Sequence, residues 1–78
     1  MDLAEEIKTI RRECFLSQVD FAKEIGVTQI TITRWETGKS VPNYTAMKRL
    51  LAYCKAKGIN TESLCYLWRE NGQASVNV

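Results

Sequence analysis

Apolar residues recur at helical spacing in five separate stretches of the chain. Leu3, Ile7, Ile10 and Cys14 make the first stripe, Phe21, Ala22 and Ile25 the second, and Ile32 and Trp35 the third. Met47, Leu50, Leu51 and Cys54 make the fourth, and Leu64, Leu67 and Trp68 the fifth. Between the stripes stand residues that start and stop helices. The first helix is expected to begin near Asp2, with Asp2, Glu5 and Glu6 complementing the dipole of its opening turns. Ser17 caps a second helix with Asp20 three places on, flanked by a Leu16–Phe21 hydrophobic staple, and Gly26 ends it. Only Val27 intervenes before Thr28 caps a third helix, with Val27 and Ile32 repeating the staple. That helix closes at Thr37 and Gly38, and a loop from Lys39 to Asn43 leads to a fourth, capped by Asn43 and running from Tyr44 to about Lys57. Gly58 stops it; Ile59, Asn60 and Leu64 then announce a fifth from about Thr61 to Glu70. The pattern predicts an all-α domain over residues 1–71 and a frayed tail over residues 72–78.

Two short capped helices separated by a glycine break have the form of a helix-turn-helix, and the third helix carries its chemistry. At about 100° per residue, Ile32 and Trp35 share one side while Gln29, Ile30, Thr33 and Arg34 gather on the other. The outward set suits base edges: glutamine pairs with adenine, arginine with guanine, threonine bonds in either direction, and isoleucine touches a thymine methyl. Ile30 alone is ambiguous, since it either meets a partner or is one of the scattered exposed apolar residues that any surface carries. Its polar neighbours favour the first. Gln18 at the start of the second helix, Thr28 at the start of the third, and Lys39, Ser40 and Asn43 in the following loop are placed to bind phosphates, which set register without carrying sequence information. The same loop residues would also serve as plain caps. Ala22 reads as the small residue that lets the two helices cross closely.

The stretch LSQVDFAKEIGVTQITITRWETGKSVPN, from Leu16 to Asn43, resembles the Cro/lambda-repressor-like helix-turn-helix family, also called the xenobiotic-response-element (XRE) family. The shared pattern is an S-Q opening, an apolar-Ala pair, G-V, a Thr or Ser cap, W-E-x-G-K and a Pro, and the likeness extends over roughly residues 3–58. It implies a compact five-helix bundle that binds operator DNA, usually as a dimer. It further implies that Arg11 pairs with Glu36, with Arg12 the adjacent alternative, and that Gln18 buttresses the third helix. In this family the last helix often supplies the dimer contact, which makes Leu64, Leu67 and above all Trp68 interface candidates. Two departures stand out. Phe15 occupies a place where the family often has glycine, which argues against a left-handed helix end there, and Gly58 comes about one helical turn late.

Charge adds direction to this picture. The net charge of the 78 residues is only +2, yet between Arg34 and Lys57 six cationic residues face one acidic one, while the rest of the chain holds five against eight. Lys55 and Lys57 also read as an ordinary solvated helix face. Three cysteines with no C-x-x-C spacing and no histidine give no metal set, so Cys54 and Cys65 are expected to pack and Cys14 to be more exposed. No run approaches the roughly 18 apolar residues of a membrane span, and the opening MDLAEEIKTIRRE is charged, so a soluble cytoplasmic protein is expected. With no nucleophile constellation or phosphate-cradling glycine loop, neither enzyme activity nor a cofactor is expected. The expectation is therefore a transcriptional regulator, a repressor that binds a palindromic operator as a dimer. An antitoxin that represses its own operon and binds a toxin is the alternative within DNA binding, and a protein-interaction module the alternative outside it. The length leaves no room for a sensing domain, so a partner such as a toxin or anti-repressor protein, degradation, or concentration would switch it.

Overall fold

The computed structural model describes residues 1–71, and the tail expected over residues 72–78 lies outside them. Five helices are arranged in order along the chain: α1 (Leu3–Glu13), α2 (Gln18–Ile25), α3 (Gln29–Glu36), α4 (Tyr44–Ala56) and α5 (Glu62–Glu70). Among the described residues there is no strand. Each of the first four helices begins on a side-chain cap. Asp2 and Glu5 form a complete reciprocal capping box, whereas Ser17, Thr28 and Asn43 each accept a backbone N–H three residues on. The box expected at α2 is only half formed, because Ser17 is bonded to the Asp20 amide without a return bond from the Asp20 carboxylate. At α5 the cap is displaced: Thr61 makes no side-chain bond, and Asn60 Oδ1 accepts from the Glu62 amide at 2.8 Å.

The end of α1 overturns the reading of Phe15. Its φ is 58°, the left-handed conformation that favours glycine, and the Leu16 amide bonds back to the Arg11 carbonyl at 3.3 Å. The turn is thus the same tight closure that Gly26, at φ 86°, makes at the end of α2, where the Val27 amide reaches the Ala22 carbonyl at 3.0 Å. A cause is visible across the turn. Arg11 Nη1 donates to the Leu16 carbonyl at 2.9 Å, a bond across the turn that favours this path despite the side chain at position 15. Phe15 itself is 95% exposed, so the aromatic ring contributes no packing in exchange for the strain.

The predicted stripes converge on one core. Ile7, Phe21, Ile32, Leu50, Cys54 and Leu64 are completely buried, and Ile10, Ala22, Ile25 and Trp35 nearly so. Helix α3 is seated against both α1 and α2, α4 against α2, and α5 against α1. Ala22 is buried in the core shared with α3, where its small side chain permits close approach. Cys54 is buried, and that burial pushes its thiol up to about 11, which keeps it protonated and inert. Cys14 and Cys65 are both half-buried, so Cys65 is less enclosed than its stripe suggested.

Leu64 and Trp68 belong to this core and are not free to face a partner. Trp68 is 8% exposed, its indole N–H donates to the Pro42 carbonyl at 2.7 Å, and its ring meets Tyr44 edge-on at 5.1 Å. It therefore fastens the loop that follows α3 onto α5. This corrects the expectation of Trp68 as an interface anchor, since burial within its own chain has already taken its apolar surface. Of the three candidates only Leu67 keeps partial exposure, beside Tyr66, which is 60% exposed.

Candidate nucleic-acid interface

Because Ile32 and Trp35 are buried, the opposite side of α3 is turned outward, and Ile30 stands at its centre with 69% of its surface exposed. On the side of α3 that faces α2, polar side chains form a chain of hydrogen bonds beginning at an ion pair. Arg11 Nε donates to Glu36 Oε2 at 2.7 Å and its Nη2 to Oε1 at 3.0 Å, a two-pronged pair in which the Glu36 side chain is only 2% exposed. Arg11, and not Arg12, takes this position. Burial pushes the Glu36 carboxyl up, but hydrogen bonds from Arg11 and Gln18, with the charge of Arg11, outweigh it and hold Glu36 below its ordinary value. Arg11 is raised correspondingly, chiefly by the same hydrogen bond.

The ion pair fixes the polarity of every hydrogen bond beyond it. An ionised carboxylate only accepts, so Gln18 must turn its amide nitrogen to Glu36, and Nε2 donates to Oε1 at 3.0 Å. Gln18 Oε1 is thereby aimed at α3. It accepts from Gln29 Nε2 at 3.0 Å and from the Thr33 hydroxyl at 3.0 Å. Gln29 Nε2 also lies 3.1 Å from Thr33 Oγ1, but that oxygen is itself 3.0 Å from Gln18 Oε1, so the two acceptors share one side of the amide nitrogen and one proton, with the amide oxygen, is left uncommitted. An acceptor matches the amino group of adenine or cytosine. The two-bond pair with adenine expected from the residue type needs that oxygen and one amide proton, and the internal bonds leave one of each.

Gln18 is thus a half-buried hub. With its side chain engaged, the group best placed for a phosphate at this end of α2 is the backbone: Ser17 Oγ satisfies the Asp20 amide and leaves those of Gln18 and Val19, at the positive end of the helix dipole. Thr28 is similarly occupied, accepting the Thr31 amide at 3.2 Å and sharing a proton with the Thr31 hydroxyl at 2.9 Å.

The other side of the outward face is open. The Arg34 side chain is exposed and makes no hydrogen bond or ion pair among the described residues, while its carbonyl accepts from the Lys39 and Ser40 amides at 2.9 and 3.3 Å and so turns the loop away from the helix. Lys39 is exposed and Ser40 half-buried. Asn43 gives its oxygen to the Ala46 amide at 2.9 Å, which leaves its amide nitrogen as a donor toward solvent. One residue that the sequence left among the general positive charge has a specific position: Arg49 of α4 reaches across to the turn between α2 and α3 and donates Nη1 to the Gly26 carbonyl at 3.0 Å. A basic residue one turn after Thr45 on α4 was the available signal, but its neighbour across the fold was not. Together these features give the outward side of α3 a pre-arranged polar edge and a central apolar residue, flanked by basic residues of α3, the following loop and α4.

No curated protein and no solved structure matches the chain. A family model described as a helix-turn-helix domain, of the XRE/Cro-like type, matches residues 2–64, which takes in α1 to α4 and the start of α5. The fold, the turn at Gly26 and the outward face of α3 agree with that match: this chain belongs to the XRE/Cro-like helix-turn-helix family, whose domain is one of DNA-binding regulators.

Proposed function

We propose that the protein is a sequence-specific transcriptional repressor that inserts α3 into the major groove of a palindromic operator and binds there as a dimer. The observation that carries this reading is the composition of the exposed face of α3. Ile30 is 69% exposed amid Gln29, Thr33 and Arg34, and two of these are already held in position by Gln18. An exposed isoleucine flanked by oriented hydrogen-bonding groups suits a surface that offers both methyl groups and polar edges, which is what the major groove presents. In this reading Gln29, Ile30, Thr33 and Arg34 select sequence. The amides at the start of α2, with Lys39, Ser40 and Asn43, engage phosphates and supply much of the affinity and its salt dependence.

The test is selection of bound duplexes from a random pool, followed by titration of the winner at two salt concentrations. An enriched palindrome whose half-sites lie about one helical turn apart supports the dimeric repressor. Enrichment of a single half-site removes the dimer and keeps the base-reading. Absence of enrichment, with weak binding to any duplex, removes the reading and leaves the protein-interaction module.

A further inference from the structure

Phe15 holds a left-handed conformation, with φ 58°, and keeps 95% of its surface exposed, so folding leaves an aromatic side chain both strained and uncovered. The residues on either side of it, Cys14 and Leu16, line a groove of about 420 Å³ that Tyr53 and Ile59 floor and Glu13, Glu24 and Lys57 rim. A second groove of about 470 Å³, between α1 and the start of α5, shares Glu13 and Ile59 with the first and adds Glu6 to the rim. Leu16, Tyr53 and Ile59 pack against the core yet stay half-buried, which gives the joined groove an apolar floor. No residue of α3, or of the loop from Lys39 to Asn43, lines either groove. This surface is therefore distinct from the outward face of α3.

Among the described residues the only ion pair is that of Arg11 with Glu36, so Glu6, Glu13 and Glu24 have no cationic partner. Lys57 is the one cation in the lining of the joined groove, and its ammonium lies over the Tyr53 ring at 5.6 Å. The groove between α3 and α4 has the opposite character, with Arg49 in its lining and no acidic residue. Three unpaired carboxylates around an apolar floor complement a positively charged chain that also brings apolar side chains. Among the described residues there is no sheet edge to which such a chain could add as a strand, which leaves burial of its apolar face in the groove. We infer that the joined groove, with Phe15 at its edge, receives a basic amphipathic segment of a partner protein. The apolar anchors of that segment pack on Phe15, Leu16, Tyr53 and Ile59, and its lysines or arginines face Glu6, Glu13 and Glu24. Phe15 thereby acquires the packing that its own fold does not give it. Neither the groove nor its partner depends on whether α3 reads DNA.

The experiment presents the full chain to a displayed library of random peptides; the enriched peptides are then synthesised and titrated, with amide chemical shifts locating where they bind. Enriched sequences are expected to place apolar residues three or four apart among lysines and arginines, and to shift the amides of Glu13, Leu16, Tyr53 and Ile59. Phe15→Gly should weaken the peptide by about tenfold or more. Its melting temperature should rise at the same time, so the loss cannot come from unfolding. Glu13→Gln and Glu24→Gln should each weaken the peptide less than this, with the effect largest at low salt, while Ile30→Ala should leave its affinity unchanged. The absence of an enriched class, enrichment of acidic peptides, equal binding by Phe15→Gly, or shifts centred on α3 would each overturn the inference. Two other occupants would also overturn it. Self-association of the unaltered protein in sedimentation that Phe15→Gly abolishes would give the groove to a second copy, and nuclear Overhauser contacts from residues 72–78 to Phe15 in the free chain would give it to the chain's own end. None of these measurements contains DNA, so their failure leaves the reading of α3 intact, and failure of the duplex selection leaves the groove intact.

Discussion

Along the α2 edge of α3, Gln29 and Thr33 are tied to Gln18 and through it to Glu36 and Arg11, whereas along the other edge Ile30 and Arg34 make no side-chain hydrogen bond among the described residues. The difference separates two ways of building a recognition surface. On the tied edge, rotamer freedom has been lost on folding and the hydrogen-bond polarity is set from inside the core, so binding there requires little further ordering. On the open edge, the long Arg34 side chain is exposed with no hydrogen bond among the described residues, so under the proposed reading its ordering is left to contact with DNA. Under the proposed reading the first edge links specificity to stability, and the second does not.

The largest expected effect comes from cutting the tie at its root. Glu36→Ala leaves Arg11 without its carboxylate and Gln18 without its acceptor, and is expected to destabilise the fold by about 3 kcal/mol, the low end for a broken buried pair because Arg11 retains the Leu16 carbonyl. Urea denaturation measures it, and a loss below about 1 kcal/mol would show that the network contributes little. The same carboxylate gives a pH dependence. Its pKa in the folded state lies below the ordinary 4.5, so its stabilisation is present above that value and is lost as the pH falls through the folded value. Glu36→Gln should lack that part of the acid destabilisation. Because an amide can donate as well as accept, Glu36→Gln should also release Gln18 to turn over. Under the proposed reading, selection from random duplexes is then expected to show altered preference at the base pair assigned to Gln29 and unchanged preference at that assigned to Arg34.

Arg34→Ala probes the open edge. Stability should hold, while discrimination at one base pair falls by roughly 1 to 3 kcal/mol. An equal loss on every sequence in a competition assay would move Arg34 from base to phosphate. Phe15→Gly lies outside both edges and changes stability in the other direction: a left-handed aromatic with 95% exposure has strain to lose and no packing, so unfolding should become harder by about 1 kcal/mol with operator preference untouched. Ile30→Ala is the smallest. It should leave the melting temperature unchanged and weaken binding by less than about 1 kcal/mol, and only on sites that place a thymine methyl beneath it.

Most of the framework could be read along the chain. Ser17, Thr28 and Asn43 act as caps where the local grammar put them, Gly26 turns as expected, and Ile32 and Trp35 face inward. Phe15 escaped because the preference of one residue was outweighed by Arg11 reaching across the turn. Trp68 escaped because a tryptophan near the end of a stripe looks uncovered until the Pro42 carbonyl and the Tyr44 ring are brought over it. The resemblance supplied the pairing of Arg11 with Glu36 and the buttressing by Gln18, but not the way one orients the amide of the other.

Helix positions, helix ends and the inward side of each helix follow from caps and periodicity because these act within a few residues, where the chain itself sets the distances. The direction in which Gln29 presents its oxygen, the burial of Trp68 and the placement of Arg49 over Gly26 depend on groups 11 to 26 residues apart meeting at hydrogen-bond distance. Sequence spacing sets no such distance; the packing of α1 and α2 on α3, of α4 on α2 and of α5 on α1 does.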